Sequence, residues 1–375
     1  MEILGLALDE LRRTRTSIKW HAYPADVLPV WVAEMDARPC PDVVSAVTAA
    51  VTRGDTGYAD VRGFAEAFAD FAARRWAWQP DPATVLSVPD VMIGAAELIR
   101  VLTPPEGAVV LSPPCYDAFH GFVDAVGRRP VHAPLTADHR LDPDALARAF
   151  ADAGPGSVYL LCNPQNPTGT VHTAAELVGL AELADAHGVQ VISDEIHAPL
   201  VRPGVTFTPY LTLPEAAGGI SLVSASKAWN LAGLKAALAV PGPACTLLSQ
   251  VHPTITHGAN HIAVQAQQAA FAHGEAWLDQ LLGEIDDRRA LFGQLLATHL
   301  PGVRMAPAEA TYLAWLDCAA LDLADPAAAF LARGRVAVTG GQRYAPDAGQ
   351  WVRVNLATSA EVLTEAVRRM AAAVD

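Results

Sequence analysis

Lysine is nearly absent from this chain of 375 residues. Lys19, Lys227 and Lys235 are its only three, and arginine supplies the rest of the 26 basic side chains. Basic charge is short overall: 40 acidic residues leave a formal net charge of −14. That balance argues against a nucleic-acid partner, which would need a basic face. Cysteine is sparse too. Cys40, Cys115, Cys162, Cys245 and Cys318 are scattered and odd in number, with no C-x-x-C pair. Neither a disulfide framework nor a metal site is expected, and reduced thiols fit a cytoplasmic location. No uncharged apolar run reaches the ~18 residues of a membrane span. The start, Met1-Glu2-Ile3-Leu4-Gly5, lacks the basic-then-apolar pattern of a signal peptide. What is plentiful is apolar surface. A hydrophobic fraction of 51% predicts a large core, and at this length two domains are the default.

The first forty residues, with Pro24, Pro29 and Pro39, read as irregular. Helical periodicity begins at Pro41, a favourable first-turn residue, and runs to Arg53 ahead of Gly54. Apolar runs then alternate with amphipathic stretches. Strands are expected at Thr84–Val88, Ala108–Ser112, Ser157–Cys162, Val189–Ser193, Ile220–Ser224 and Ala236–Val240. Helices are expected at Arg62–Trp76, Val91–Leu102, Tyr116–Val126, Pro143–Ala153 and Ala174–His187. The alternation predicts an α/β fold with a mostly parallel sheet covered on both faces. After Ala259 the pattern changes to a long helix, Ala263 to His299, followed by strands near Val303–Met305, Thr311–Leu316, Val336–Val338 and Trp351–Asn355. A last helix follows at Ala360–Ala373. This part reads as a smaller α+β domain. The expected division is 41–265 for the large domain and 1–40 with 266–375 for the small one.

Against the scarcity of lysine, Ser224-Ala225-Ser226-Lys227 sets an amine after two hydroxyls just past a predicted strand. Asp194 ends the strand before it. Asn166 lies in Asn163-Pro164-Gln165-Asn166-Pro167-Thr168-Gly169, just past the strand before that. A lysine in a dry pocket can lose its proton and form an imine with a carbonyl cofactor. A carboxylate at a strand's carboxyl end can keep a pyridine nitrogen protonated. Amide, carboxylate and lysine so placed are the parts that hold and use pyridoxal phosphate. His197 could reach the cofactor's phenolic oxygen, and the rigid turn can fix Asn166 as a donor to it. Candidate phosphate donors are Ser224, Ser226, Lys235 and the backbone N–H groups near Val91 and Met92. Tyr116 could stack on the ring. Arg353 alternates with apolar residues along a predicted strand, where a guanidinium can take an amino acid's carboxylate bidentately. Each residue has a plainer alternative: a helix cap for Asp194, a core aromatic for Tyr116, an edge-strand ion pair for Arg353.

The set resembles fold-type I pyridoxal-phosphate enzymes of the class I/II aminotransferase superfamily, and within them the MalY/PatB-type carbon–sulfur lyases, or cystathionine β-lyases. The narrower resemblance rests on several segments. They are Trp31-Val32-Ala33-Glu34-Met35-Asp36, Asp55-Thr56-Gly57-Tyr58, Cys162-Asn163-Pro164, Ser193-Asp194-Glu195-Ile196-His197 and Ala310-Thr311-Tyr312-Leu313-Ala314-Trp315-Leu316-Asp317. Asn230, Ala232, Gly233 and Leu234 after Lys227 also match. The resemblance implies a large domain with a mostly parallel seven-stranded sheet plus a smaller α+β domain. It makes Lys227 the Schiff-base lysine and Asp194 the pyridinium partner. Asn166 and His197 would serve the phenolic oxygen, Tyr116 the ring face, and Ser224, Ser226 and Lys235 the phosphate. Arg353 would take the substrate carboxylate. Tyr58 would reach the phosphate of a neighbouring subunit, in a homodimer with shared sites. The implied reaction is β-elimination from L-cystathionine or related S-substituted cysteines, giving a thiol, pyruvate and ammonia. The nearest rival, transamination between an L-amino acid and a 2-keto acid, uses the same residues. Glu34, Gln165 and Trp229 depart from the lyase pattern's usual Asp, His and Phe, and Lys235 stands where many relatives have arginine.

Overall fold

The computed structural model describes residues 1–374. Its strands are β1 (Leu28–Pro29), β2 (Leu86–Val88), β3 (Ala108–Leu111), β4 (Arg129–His132), β5 (Val158–Cys162), β6 (Gln190–Asp194), β7 (Ile220–Val223), β8 (Ala237–Pro241), β9 (Arg304–Met305), β10 (Leu313–Asp317), β11 (Val336–Ala337), β12 (Thr339–Gly340) and β13 (Trp351–Asn355). Seven of them make one sheet, in the order β2-β8-β7-β6-β5-β3-β4. Neighbours from β4 through β7 pair parallel, and β8 runs antiparallel to both β7 and β2.

Strands β3, β5 and β7 are buried at every residue, because helices cover both faces. The two-residue period sends alternate side chains to opposite sides. Val110, Tyr159, Leu161 and Val223 pack with Phe68, Phe71, Phe150, Leu177 and Phe271 of the helices on one face. Val109, Leu111, Leu160 and Leu222 pack with Leu98, Ile99, Phe119 and Val123 on the other. Local signals fix the helix starts. Thr173 and Glu176 form a capping box ahead of Ala174–His187, and Asp142 caps Pro143–Ala153, which has proline in its first turn.

Four antiparallel strands, ordered β12-β13-β10-β9, form the smaller sheet. Its core joins Val352, Val354, Leu316, Phe292, Leu296 and Leu363 to Leu6, Leu8, Leu11 and Leu28 of the N-terminal segment. That segment crosses between the two sheets. Near its middle, Lys19 and Asp36 form an ion pair of 2.8 Å with both side chains out of solvent. The Trp20 Nε1–H donates to the same carboxylate at 2.9 Å.

Three sequence expectations need correction. The first forty residues are not all irregular: Leu8–Thr14 and Ile18–His21 are helical, and β1 pairs with β11. Strand β4 lies outside the expected set, because an edge strand reading Arg-Pro-Val-His carries only one buried apolar side chain. The long helix expected from Ala263 to His299 is two, His261–His273 and Glu275–His299, parted at Gly274. There the indole N–H of Trp229 donates to the Gly274 carbonyl at 3.1 Å, and a Cβ on residue 274 would lie 2.4 Å from that nitrogen. Only glycine allows the approach.

Candidate active site

Strands β5, β6 and β7 are parallel and in register, with Cys162 opposite Asp194 and Asp194 opposite Leu222. Their carboxyl ends are therefore level, and the chain leaving them delivers Asn166, Asp194 and Lys227 to one edge of the sheet. β2 and β3 lead to Val91 and Tyr116 at that same edge. β8 runs the other way, so its beginning, beside Lys235, also lies there. Ligands of open α/β sheets bind beyond this edge. A cavity of about 240 Å³ opens there, lined by Asp90, Val91, Met92, Tyr116, Asn166, Asp194, His197, Ser226, Lys227 and Lys235 among others. A second cavity of about 230 Å³ shares Tyr116 and Lys227 with it and is walled by Trp31, Ala33, Asp117, Arg343 and Arg353.

Lys227 borders both cavities and is otherwise enclosed by protein. Burial, and then the Arg353 charge, push its ammonium down to about 8 against the pull of Asp194. Its Nζ donates to the Ala33 carbonyl at 3.1 Å, and the Tyr312 hydroxyl donates to the same oxygen at 3.0 Å. Burial pushes the Asp194 carboxyl up to about 6, although the Ile196 N–H donates to its Oδ1 at 3.1 Å and Lys227 favours its charge. His197 is held neutral, its pKa lowered to about 3 by burial and by the charges of Lys227 and Arg353. Its Nδ1 has no partner among the described residues.

Arg353 alternates along β13 with Val352 and Val354, which face the small core, so its guanidinium turns toward the cavity. One terminal nitrogen donates to Asn166 Oδ1 at 3.1 Å and the other to the Trp31 carbonyl at 3.2 Å. The group lies 5.0 Å over the Tyr344 ring, and its Nε is unpartnered among the described residues. Because Arg353 can only donate, the Asn166 amide must turn its oxygen to it, which leaves the NH₂ as the free end.

The phosphate-donor candidates separate. Ser226, Lys235, Val91 and Met92 line the cavity. Ser224 does not: it is buried behind Ser226, its hydroxyl shared among Ser226 (2.6 Å), the Ala236 carbonyl (2.9 Å) and Gln267 Oε1 (2.9 Å). Ser224 stands just past the end of β7, where it faces the helix carrying Gln267. Tyr58 is 98% exposed and lies away from its own chain's cavity.

Several contacts around the site escaped the sequence reading. Asp90 caps the helix Val91–Leu102 through the Ile93 N–H (2.7 Å) and pairs with Lys235 through its other oxygen. Its position before an apolar helix signalled the cap but not the ion pair. Gln267 binds Ser224, Ser226 and the Ala225 N–H, and no sequence signal links it to them. Asn230 accepts the Met35 N–H at 2.8 Å and donates to the Met35 carbonyl at 2.9 Å, clasping the N-terminal segment to the loop of Lys227.

The profile of the family described as aminotransferase class I and II matches residues 25–370. The chain belongs to that family. Among aminotransferase class I and II proteins it is 48% identical to the "Putative cystathionine beta-lyase" of Mycobacterium leprae, over 97% of this chain and 96% of that protein. It is 32% identical to the cystathionine beta-lyase PatB of Bacillus subtilis, over 97% and 98%. A solved structure from Corynebacterium diphtheriae, described as a "putative plp-dependent beta-cystathionase", superposes with a TM-score of 0.93 at 33% identity, covering 99% of each chain. The full-length superposition makes the fold of this aminotransferase class I and II chain that of the fold-type I enzymes.

Proposed function

We propose that this chain is a pyridoxal-phosphate-dependent carbon–sulfur β-lyase acting on L-cystathionine or related S-substituted cysteines. The observation that carries the proposal is Lys227, an amine whose charged form burial disfavours, on the wall shared by two cavities. One cavity holds acid and anion-binding groups, the other a buried arginine. The lyase assignment is supported by relatives named for that activity across nearly their full length.

The donor set fits the cofactor. An amine faces a carbonyl's position, and Asp194 offers a carboxylate to a ring nitrogen. The Asn166 NH₂ and neutral His197 remain for a phenolic oxygen, with Tyr116 on the ring's flank. Ser226, Lys235 and the free N–H groups of Val91 and Met92 form an anion site at a helix N-terminus. When bound, pyridoxal phosphate supplies a ring that accepts the electron pair released at the substrate's Cα. The protein's own groups do the rest. Arg353 takes the α-carboxylate, held square by Asn166, Trp31 and the Tyr344 ring. Lys227 removes the Cα proton as general base. The sulfur leaves from Cβ as a thiolate that takes up a proton, and the remaining three-carbon unit takes up water to give pyruvate and ammonia.

The reading extends to the assembly. We place Tyr58 at the phosphate of a neighbouring subunit in a homodimer with shared sites. All five cysteines are free thiols, which supports a reducing, cytoplasmic setting. Residues 41–265 would form the cofactor-binding domain, with 1–40 and 266–375 as the small one. No helix among the described residues is long and apolar enough to cross a membrane.

The test is pyruvate and free thiol from L-cystathionine with cofactor-loaded protein and no keto acid. Lys227→Ala should abolish both. Pyruvate formed only from alanine with a keto acid would make the chain an aminotransferase and refute the lyase reading.

A further inference from the structure

The second cavity runs from the half-buried Lys227 and the buried Arg353 to a charged rim. There Arg343, its side chain 65% exposed, meets Asp117, 14% exposed. Both guanidinium contacts, Nε at 2.9 Å and Nη2 at 2.7 Å, go to the same carboxylate oxygen, Oδ2. Asp117 precedes the helix Ala118–Ala125 but its side chain does not cap it. The carboxylate is therefore engaged by Arg343 rather than by the helix. Each rim residue is tied to the floor through its neighbour in sequence. Asp117 follows Tyr116, which lines both cavities, and Arg343 precedes Tyr344, on whose ring Arg353 lies.

We infer that Asp117 and Arg343 form a distal subsite for the ammonium and carboxylate of a second amino-acid head, carried on the substrate's sulfur. The inference rests on the lyase reading and narrows its substrate class to bis-amino acids joined through sulfur, over S-alkyl cysteines. Charge counting supports it. With the α-carboxylate on Arg353, a distal zwitterion can exchange into the rim pair, carboxylate to Arg343 and ammonium to Asp117, so that no charge on either side loses its partner. An alkyl tail offers no such exchange and leaves the rim pair as it is.

The experiment compares kcat/KM for L-cystathionine and for S-propyl-L-cysteine, whose tail has the same three carbons without the charged head, by pyruvate release from the cofactor-loaded protein. The preference for cystathionine should fall about fivefold in Arg343→Gln, whose own guanidinium is largely solvent-exposed. It should fall about tenfold in Asp117→Asn, whose carboxylate is mostly enclosed. The loss should lie in KM and shrink as salt is added. Equal losses on both substrates, or no preference in the wild type, would overturn the subsite while leaving the lyase reading intact. No pyruvate from either substrate would overturn both.

Discussion

The state of Lys227 can be measured through the rate at which cofactor-free protein captures pyridoxal phosphate. The perturbation is pH alone. An ordinary lysine side chain ionises at 10.5, and the enclosed Lys227 at about 8. At pH 7 a group of pKa about 8 is neutral in about one molecule in ten, whereas the ordinary group is neutral in about one in three thousand. Only the neutral amine attacks a carbonyl, so capture should run about three hundredfold faster than the amine's unperturbed acidity would allow. The sign is fixed by the direction of the shift: the rate rises with pH below 8 and levels off above it. Stopped-flow absorbance of the cofactor follows the reaction, with Nα-acetyl-lysine as reference so that the cofactor's own ionisations divide out. A rate that keeps climbing tenfold per pH unit to pH 10 would refute the argument. It would mean that Lys227 meets water as freely as a surface lysine.

Three further outcomes follow from the geometry. Asp194→Ala should cut pyruvate formation about a hundredfold or more while cofactor absorbance persists, since Lys227 and the anion site are untouched; undiminished turnover would assign the ring nitrogen to another group. Arg353→Lys should lower kcat/KM about a hundredfold, chiefly through KM, because an ammonium cannot reproduce the fork that meets Asn166, the Trp31 carbonyl and a carboxylate together; steady-state kinetics decides. Lys19→Met should cost about 3 kcal/mol in urea unfolding by stranding the Asp36 carboxylate, and adding Asp36→Leu should recover most of it. A double variant no better than the single would show that the pair is not what stabilises that segment.

Where local chemistry decides, the sequence was easy to read. Arg62–Trp76, Val91–Leu102, Pro143–Ala153 and Ala174–His187 start and stop where periodicity and turn residues place them. Asn166, Asp194 and Lys227 were visible because each follows an apolar strand, and parallel strands put such residues on one edge. What escaped depends on contacts far along the chain. The exposed edge of β4 hides its strand character, and the break at Gly274 answers to Trp229, 45 residues away. Ser224 and Ser226 look alike in sequence, yet Gln267 and the end of β7 turn one inward and leave the other at the cavity.

The clasp between Asn230 and Met35 joins residues 195 positions apart, and Asn355 holds the Val32 carbonyl across 323. On a ribosome adding roughly 5–20 residues per second, Met35 waits on the order of ten to forty seconds for Asn230 to be made. Asn355 comes later still. The segment around Met35 is thus made well before the residues that hold it, and its apolar side chains must be kept from other company in the meantime.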